Sequence, residues 1–208
     1  MENFDFIFSI AILILSVMLH EVSHGQMAFL LGDPTAKHAG RLTLNPLKHL
    51  DPFGSILLPV ITFFTGGFIF GWAKPVPYNP YNLKNQKWGP ALVGAAGPLS
   101  NIAIAAIFGM FIRLSAFAPN FAFLGATEQI SAMIVFINLL LAIFNLVPIP
   151  PLDGSKVLFA FLPYKWRNVE FFLERYGFFI LLIFIFFFFN LLLPIIYFLF
   201  RITTGMAI

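Results

Sequence analysis

From Trp88 to Phe117 the chain carries a single charged residue, Arg113, and from Gln129 to Val147 it carries none. An α-helix rises about 1.5 Å per residue, so about 20 apolar residues match the roughly 30 Å hydrocarbon core of a bilayer. Phe4–Leu31 and Phe178–Ile202 are two further apolar stretches of that length. The spanning backbone must satisfy its own hydrogen bonds where water is absent. These four stretches therefore predict an all-α polytopic membrane protein with about four transmembrane helices.

Composition agrees. The chain is 60% hydrophobic and 10% charged, against about 25% charged in soluble domains, which excludes an ordinary soluble fold. The net charge is only +3. The basic residues fall in the loops, where they report membrane orientation rather than nucleic-acid binding. Cysteine is absent, which excludes disulfides and Cys-ligated metals. Glu2 and Asp5 flank the first apolar stretch, where a signal peptide would have basic residues. The stretch is expected to remain a membrane helix.

Between the helices the punctuation is clear. Gly32-Asp33-Pro34 ends the first helix. Arg41–Asn45 alternates as a short strand would, predicting a small β element after the first helix. Phe53–Phe70 is apolar but short and is interrupted by Gly54, Pro59, Gly66 and Gly67. It reads as a re-entrant segment. Ala73–Lys87 is a loop. Pro148-Ile149-Pro150-Pro151 breaks the third long helix, and Ser155–Leu162 can form a short one. Trp166, Val169, Phe172, Leu173 and Tyr176 share one face, which predicts an interfacial helix. It leads into the last transmembrane helix, with a kink expected at Pro194. Residues 1–208 read as one domain, with a core at about 4–162 and the interfacial and final helices at 163–208.

His20-Glu21-Val22-Ser23-His24 carries the chemistry. Helical residues four apart share a face, so both imidazoles can bind one metal, with Glu21 placed to act on water there. Ionisable groups inside an apolar helix cost several kcal/mol and mark function. The plainer alternative is hydrogen bonding to neighbouring helices. A site of this type needs a third protein ligand. Asp153 is the candidate, in Asn145-Leu146-Val147-Pro148-Ile149-Pro150-Pro151-Leu152-Asp153-Gly154. Taken alone, Asp153 reads equally well as the N-cap of Ser155–Leu162.

The combination resembles the site-2 protease family of intramembrane zinc metalloproteases. That family pairs His-Glu-x-x-His on one helix with an Asn…Asp-Gly motif on a later one. Here the matching residues are His20, Glu21 and His24, then Asn145, Asp153 and Gly154. Ala96-Gly97-Pro98-Leu99-Ser100-Asn101 and Gly71-Trp72-Ala73-Lys74-Pro75-Val76-Pro77 also look like the family's core, and the resemblance covers roughly residues 8–162. With no room for an inserted PDZ domain and no helix before the zinc-binding one, the chain resembles the minimal branch. The resemblance implies that His20, His24 and Asp153 hold Zn²⁺, and that Glu21 is the general base. It implies that Asn145 positions substrate or steadies the oxyanion; an interhelical hydrogen bond is the alternative for that residue. The implied activity is hydrolysis of transmembrane or juxtamembrane peptide bonds in membrane proteins, as in regulated intramembrane proteolysis. The implied partners are the lipid bilayer and a transmembrane-helix substrate, such as an anchored regulator or a remnant signal peptide, and no nucleic acid.

Two rival readings use the same residues: a divalent-metal transporter, and an inactive relative that only binds membrane proteins. Motifs clustered near one side disfavour the first, and an intact Glu21 disfavours the second. His38 and His49 are secondary ligand candidates. Asn101 reads as a packing contact near the site, and Asn138 as structural. If His20, His24 and Asp153 share a metal, an even number of crossings separates them, which requires Phe53–Phe70 to enter and leave by one face. The positive-inside rule then places Lys37, Arg41, Lys48, Lys74, Lys84, Lys87, Lys156, Lys165, Arg167 and Arg175 together on the cytoplasmic side. The expected location is a bacterial or archaeal plasma membrane, with the active site towards the cytoplasmic side.

Overall fold

A computed structural model describes residues 2–66, 74–115 and 123–206. Helix α1 runs Glu2–Leu30 and ends at the predicted break. Gly32 adopts a φ of 110° there, a left-handed conformation that disfavours a β-carbon. The Asp33 N–H returns to the Ala28 carbonyl at 2.9 Å, and a single turn, α2 (Thr35–His38), follows.

The expected β element does not form. No strand exists among the described residues, and Leu42, Thr43 and Leu44 form bends. A strand needs a partner to complete its hydrogen-bond ladder, and this segment satisfies its backbone locally instead. The Arg41 N–H bonds the Ala36 carbonyl at 3.0 Å, and His49 Nε2 lies 2.9 Å from the Thr43 carbonyl. The Asn45 side chain caps the turn Pro46–Lys48.

Two bonds close the next excursion. The Lys74 N–H donates to the His49 carbonyl at 2.9 Å, and the Arg41 guanidinium donates to the Lys74 carbonyl at 2.7 Å. The chain thus returns at Lys74 to the place it left at His49. In between lie a π-helical turn, Pro52–Leu57, and α3, Leu58–Gly66. Together they rise about 20 Å, short of a bilayer core. Residues 67–73, which include the end of the apolar stretch and Gly71-Trp72-Ala73 of the loop motif, lie outside the described residues.

Helices α4 (Gly89–Ser115) and α5 (Phe123–Asn145) follow, then the short α6 (Asp153–Phe161). Helix α7 (Arg167–Ile183) continues through a π-helical turn, and α8 is Leu193–Thr204. Among the described residues, four helical stretches are long and apolar enough to cross a membrane: Ile7–Leu30, Gly89–Ser115, Thr127–Asn145 and Tyr164–Leu191. The predicted interfacial helix is thus continuous with the last span. The expected departure from a regular helix lies just before Pro194: Phe189–Leu191 winds as a 3₁₀ turn, and Pro194 falls in the first turn of α8. Proline lacks an N–H but fits that position, where no intrahelical acceptor is needed.

Helix α4 is the hub, with α1, α5, α6 and α8 packed on it. Ala105 and Ile112 of α4, Val135 and Leu139 of α5, and Ile196 and Phe200 of α8 form the buried core. Small residues on α4 let its neighbours approach, as packing within a bilayer requires. A β-carbon at Gly109 would meet the Thr203 backbone carbonyl at 2.9 Å.

Candidate active site

His20 and His24 stand one turn apart on α1, both buried, with ring centroids 4.6 Å apart. Asp153 reaches them from the first residue of α6. The backbone turns after α5 deliver it there: the Ile149 N–H bonds Val147 O at 2.8 Å, and the Leu152 N–H bonds Ile149 O at 2.9 Å. Gly154 has no β-carbon because the Leu146 and Val147 carbonyls occupy that space. Asp153 is not a cap. Leu152 holds the N-cap position without a side-chain bond, and the Asp153 carboxylate turns towards α1.

Asp153 Oδ2 lies 3.0 Å from Nε2 of both His20 and His24. The opposite ring edges are fixed by acceptors. His20 Nδ1 lies 2.6 Å from Asn101 Oδ1, and His24 Nδ1 lies 2.6 Å from the Val93 carbonyl. A carbonyl can only accept, so Nδ1 of His24 carries the hydrogen. The Asn101 amide nitrogen donates to Asn138 Oδ1 at 2.8 Å, which turns the Asn101 oxygen to His20 with the same result. The Asn138 amide in turn donates to Ser16 Oγ at 2.9 Å. Both Nε2 atoms are therefore aimed at Asp153, in the tautomer a metal needs.

Three ligand atoms, one each from His20, His24 and Asp153, lie within 4.8 Å of one another. Separations of 3.0 Å can be held by protons on Nε2, at the cost of two cationic rings side by side, or by one metal ion between the three atoms. Two imidazole nitrogens and one carboxylate oxygen are a donor set zinc takes readily. Ligand atoms about 2.0–2.1 Å from a tetrahedral zinc lie about 3.3 Å apart, close to what is seen. Gly97 on α4 keeps the space clear, since a β-carbon there would sit 2.5 Å from His24 Nε2 and 2.6 Å from His20 Nε2.

Glu21, next to His20, extends to the loop before α4, where its Oε2 accepts the Val76 N–H at 2.8 Å. Asn145 ends α5 and donates from Nδ2 to Leu141 O at 2.9 Å. The residue after it packs on Gly154, so the end of α5 abuts the Asp153 turn. His38 is exposed, and His49 is buried against Thr43; neither joins the metal-ligating group found among the described residues. Sequence reasoning undervalued Asn101 and Asn138 and passed over Ser16. The available signal was that a metal-binding histidine needs a partner for its second ring nitrogen, and that polar side chains in apolar helices can supply one.

Comparison with known proteins adds a family. The family described as Peptidase family M50 matches residues 114–188, a segment that includes Asp153. A Bacillus subtilis protein named "Putative zinc metalloprotease YwhC" is 40% identical over 174 residues, covering 82% of this chain and 76% of that protein. The chain belongs to peptidase family M50. Two other relatives share a name, "Putative zinc metalloprotease Rip2". The Mycolicibacterium smegmatis protein is 33% identical over 159 residues, and the Mycobacterium tuberculosis protein 33% over 153. In each case the match covers 74% of this M50 chain and 56% of the relative, so the chain spans little more than half of the mycobacterial proteins. No solved structure shows a significant match.

Proposed function

We propose that this M50 zinc metallopeptidase hydrolyses peptide bonds in or beside the transmembrane helices of other membrane proteins, with His20, His24 and Asp153 as the zinc ligands and Glu21 as the general base. The observation that carries the reading is the convergence of three buried ligand atoms from α1 and α6 beside a carboxylate in a membrane helix. Zinc supplies a Lewis acid for the scissile carbonyl and lowers the pKa of water to about 7.

The chain's own residues do the rest. The Val76 N–H fixes one oxygen of Glu21, leaving the other to take the attacking water's proton and return it to the leaving amine. Asn101 and the Val93 carbonyl keep the imidazoles in register. Asn145, released from Leu141, is the side chain offered to the substrate backbone or the developing oxyanion. A helical substrate must unwind locally, because its carbonyls are otherwise engaged. An anchored regulator or a remnant signal peptide with helix-breaking residues near the cut fits that demand.

The proposal puts the site towards the cytoplasm of a bacterial or archaeal plasma membrane. The Lys84 N–H bonds Leu31 O at 2.9 Å, and Lys74 joins His49, so the basic loops 31–50 and 74–88 gather at one end of α1. Two candidate spans, α4 and α5, separate the histidines from Asp153, which satisfies the required parity. The single compact ligand group among the described residues also speaks against a transport path of spaced metal sites. The test is chelator-sensitive cleavage of a transmembrane peptide by the purified chain, lost in Asp153→Ala. For the membrane side, single cysteines at Asn45 and Lys84 should label with an impermeant thiol reagent from the same face; labelling from opposite faces would refute the topology.

A further inference from the structure

The two oxygens of Asp153 do different things. Oδ2 faces both imidazoles, and Oδ1 receives the ammonium of Lys156 at 2.9 Å. An Asp–Lys pair three residues apart on a helix is common on protein surfaces, where it contributes only a few tenths of a kcal/mol. Here the carboxylate side chain is only 8% exposed and is shared with two imidazoles, so the pair lies within the site.

The path of the lysine is built into the fold. Its stem crosses α4 at Gly94, where a β-carbon would lie 3.1 Å from both Cβ and Cδ of Lys156. Its head ends 5.7 Å from the centre of the Tyr78 ring, in the loop whose Val76 holds Glu21. A larger residue at position 94 would push the stem aside and move the ammonium off Oδ1.

We propose that Lys156 is the positioning residue for the carboxylate ligand: it occupies Oδ1 and so presents Oδ2 alone to the metal between His20 and His24. This rests on the reading of His20, His24 and Asp153 as the zinc ligands. A carboxylate freed of Lys156 can rotate, and the ligand geometry is lost for part of the time. A nearby cation also repels a metal ion, so orientation and repulsion predict opposite signs when the charge is removed. Groups that hold a ligand from behind are worth about 10–100-fold in metal affinity, and the assignment states that orientation wins.

The chain contains no cysteine, which allows one variant to carry both arms of the test. Lys156→Cys is alkylated with 2-bromoethylamine, which rebuilds a lysine-like ammonium, or with iodoacetamide, which leaves a neutral amide. Both products are thioethers in the same full-length protein. Zinc affinity is measured in detergent by competition with a chromophoric chelator, alongside wild type and Asp153→Ala. The aminoethylated protein should bind zinc about 10–100-fold more tightly than the neutral one and approach wild type. Equal affinity, or tighter binding by the neutral form, overturns the role of Lys156. Undiminished zinc binding by Asp153→Ala would instead overturn the ligand assignment itself, so the two failures are distinct.

Discussion

His20 of α1 and Asn101 of α4 meet through Nδ1 and Oδ1 at 2.6 Å, inside the part of the molecule that crosses the membrane. That contact fixes the tautomer of His20, a proposed zinc ligand, and joins it to Asn138 and Ser16. Removing it with Asn101→Leu leaves the His20 N–H and the Asn138 oxygen without their partner. Each unsatisfied buried group costs about 1–3 kcal/mol, and the ligand loses its orientation. Zinc affinity should fall about 10–100-fold, with a lower melting temperature. Isothermal titration and a thermal melt on one preparation check both; unchanged affinity would reduce Asn101 to a packing residue.

Two glycines on α4 should behave differently. A methyl at Gly97 intrudes on both imidazoles, while one at Gly109 meets the backbone of Thr203 in α8. Gly97→Ala should lose zinc. Gly109→Ala should keep its zinc stoichiometry and lose thermal stability, because only the helix packing is disturbed. Metal analysis of the two purified variants separates these effects.

Asp33 clamps the end of α1 to the loop that holds Glu21. Its Oδ1 accepts from the Thr35 hydroxyl at 2.5 Å and the Asn82 amide at 2.8 Å, and its Oδ2 accepts the Asn79 N–H at 2.6 Å. Burial would raise its pKa, but these donors, Thr35 first, bring it below the ordinary value of 3.8. A carboxylate whose folded pKa is depressed contributes stability above its unfolded pKa and loses it as pH falls through the folded one. The melting temperature should therefore lose this contribution only below about pH 4. Asp33→Asn should lower it at neutral pH and weaken the acid dependence. An identical pH profile in the variant would dismiss the clamp.

The parts legible in the sequence were those with long-range periodicity or costly chemistry. Apolar runs located the spanning helices, and ionisable groups at membrane depth singled out His20, Glu21 and His24. Asp153 emerged because a charge beside a proline-broken helix demanded a partner. The strand at Arg41–Asn45 failed because alternation over five residues says nothing of whether a neighbour exists to pair with, and Arg41 and His49 consumed the local acceptors. Lys156 was read only as a loop charge, since no pattern in sequence shows that its stem passes Gly94.

Asn145 tests the substrate side of the site. Its amide bonds the Leu141 carbonyl in the structure, and the proposed role has it turn to the substrate backbone. Asn145→Ala should retain zinc and reduce turnover by about 10²-fold or more, the loss typical of an oxyanion donor. A variant with normal turnover per folded molecule but a lower melting temperature would make Asn145 an internal helix contact only.

The most direct measurement compares wild type with Glu21→Gln, both purified and loaded with zinc, on one transmembrane substrate with and without chelator. Glutamine retains the acceptor for the Val76 N–H and leaves His20, His24 and Asp153 untouched, but it cannot take a proton from water. The account predicts equal zinc content in the two proteins, chelator-sensitive cleavage by wild type and none by the variant. Cleavage by Glu21→Gln at a rate near wild type would contradict it.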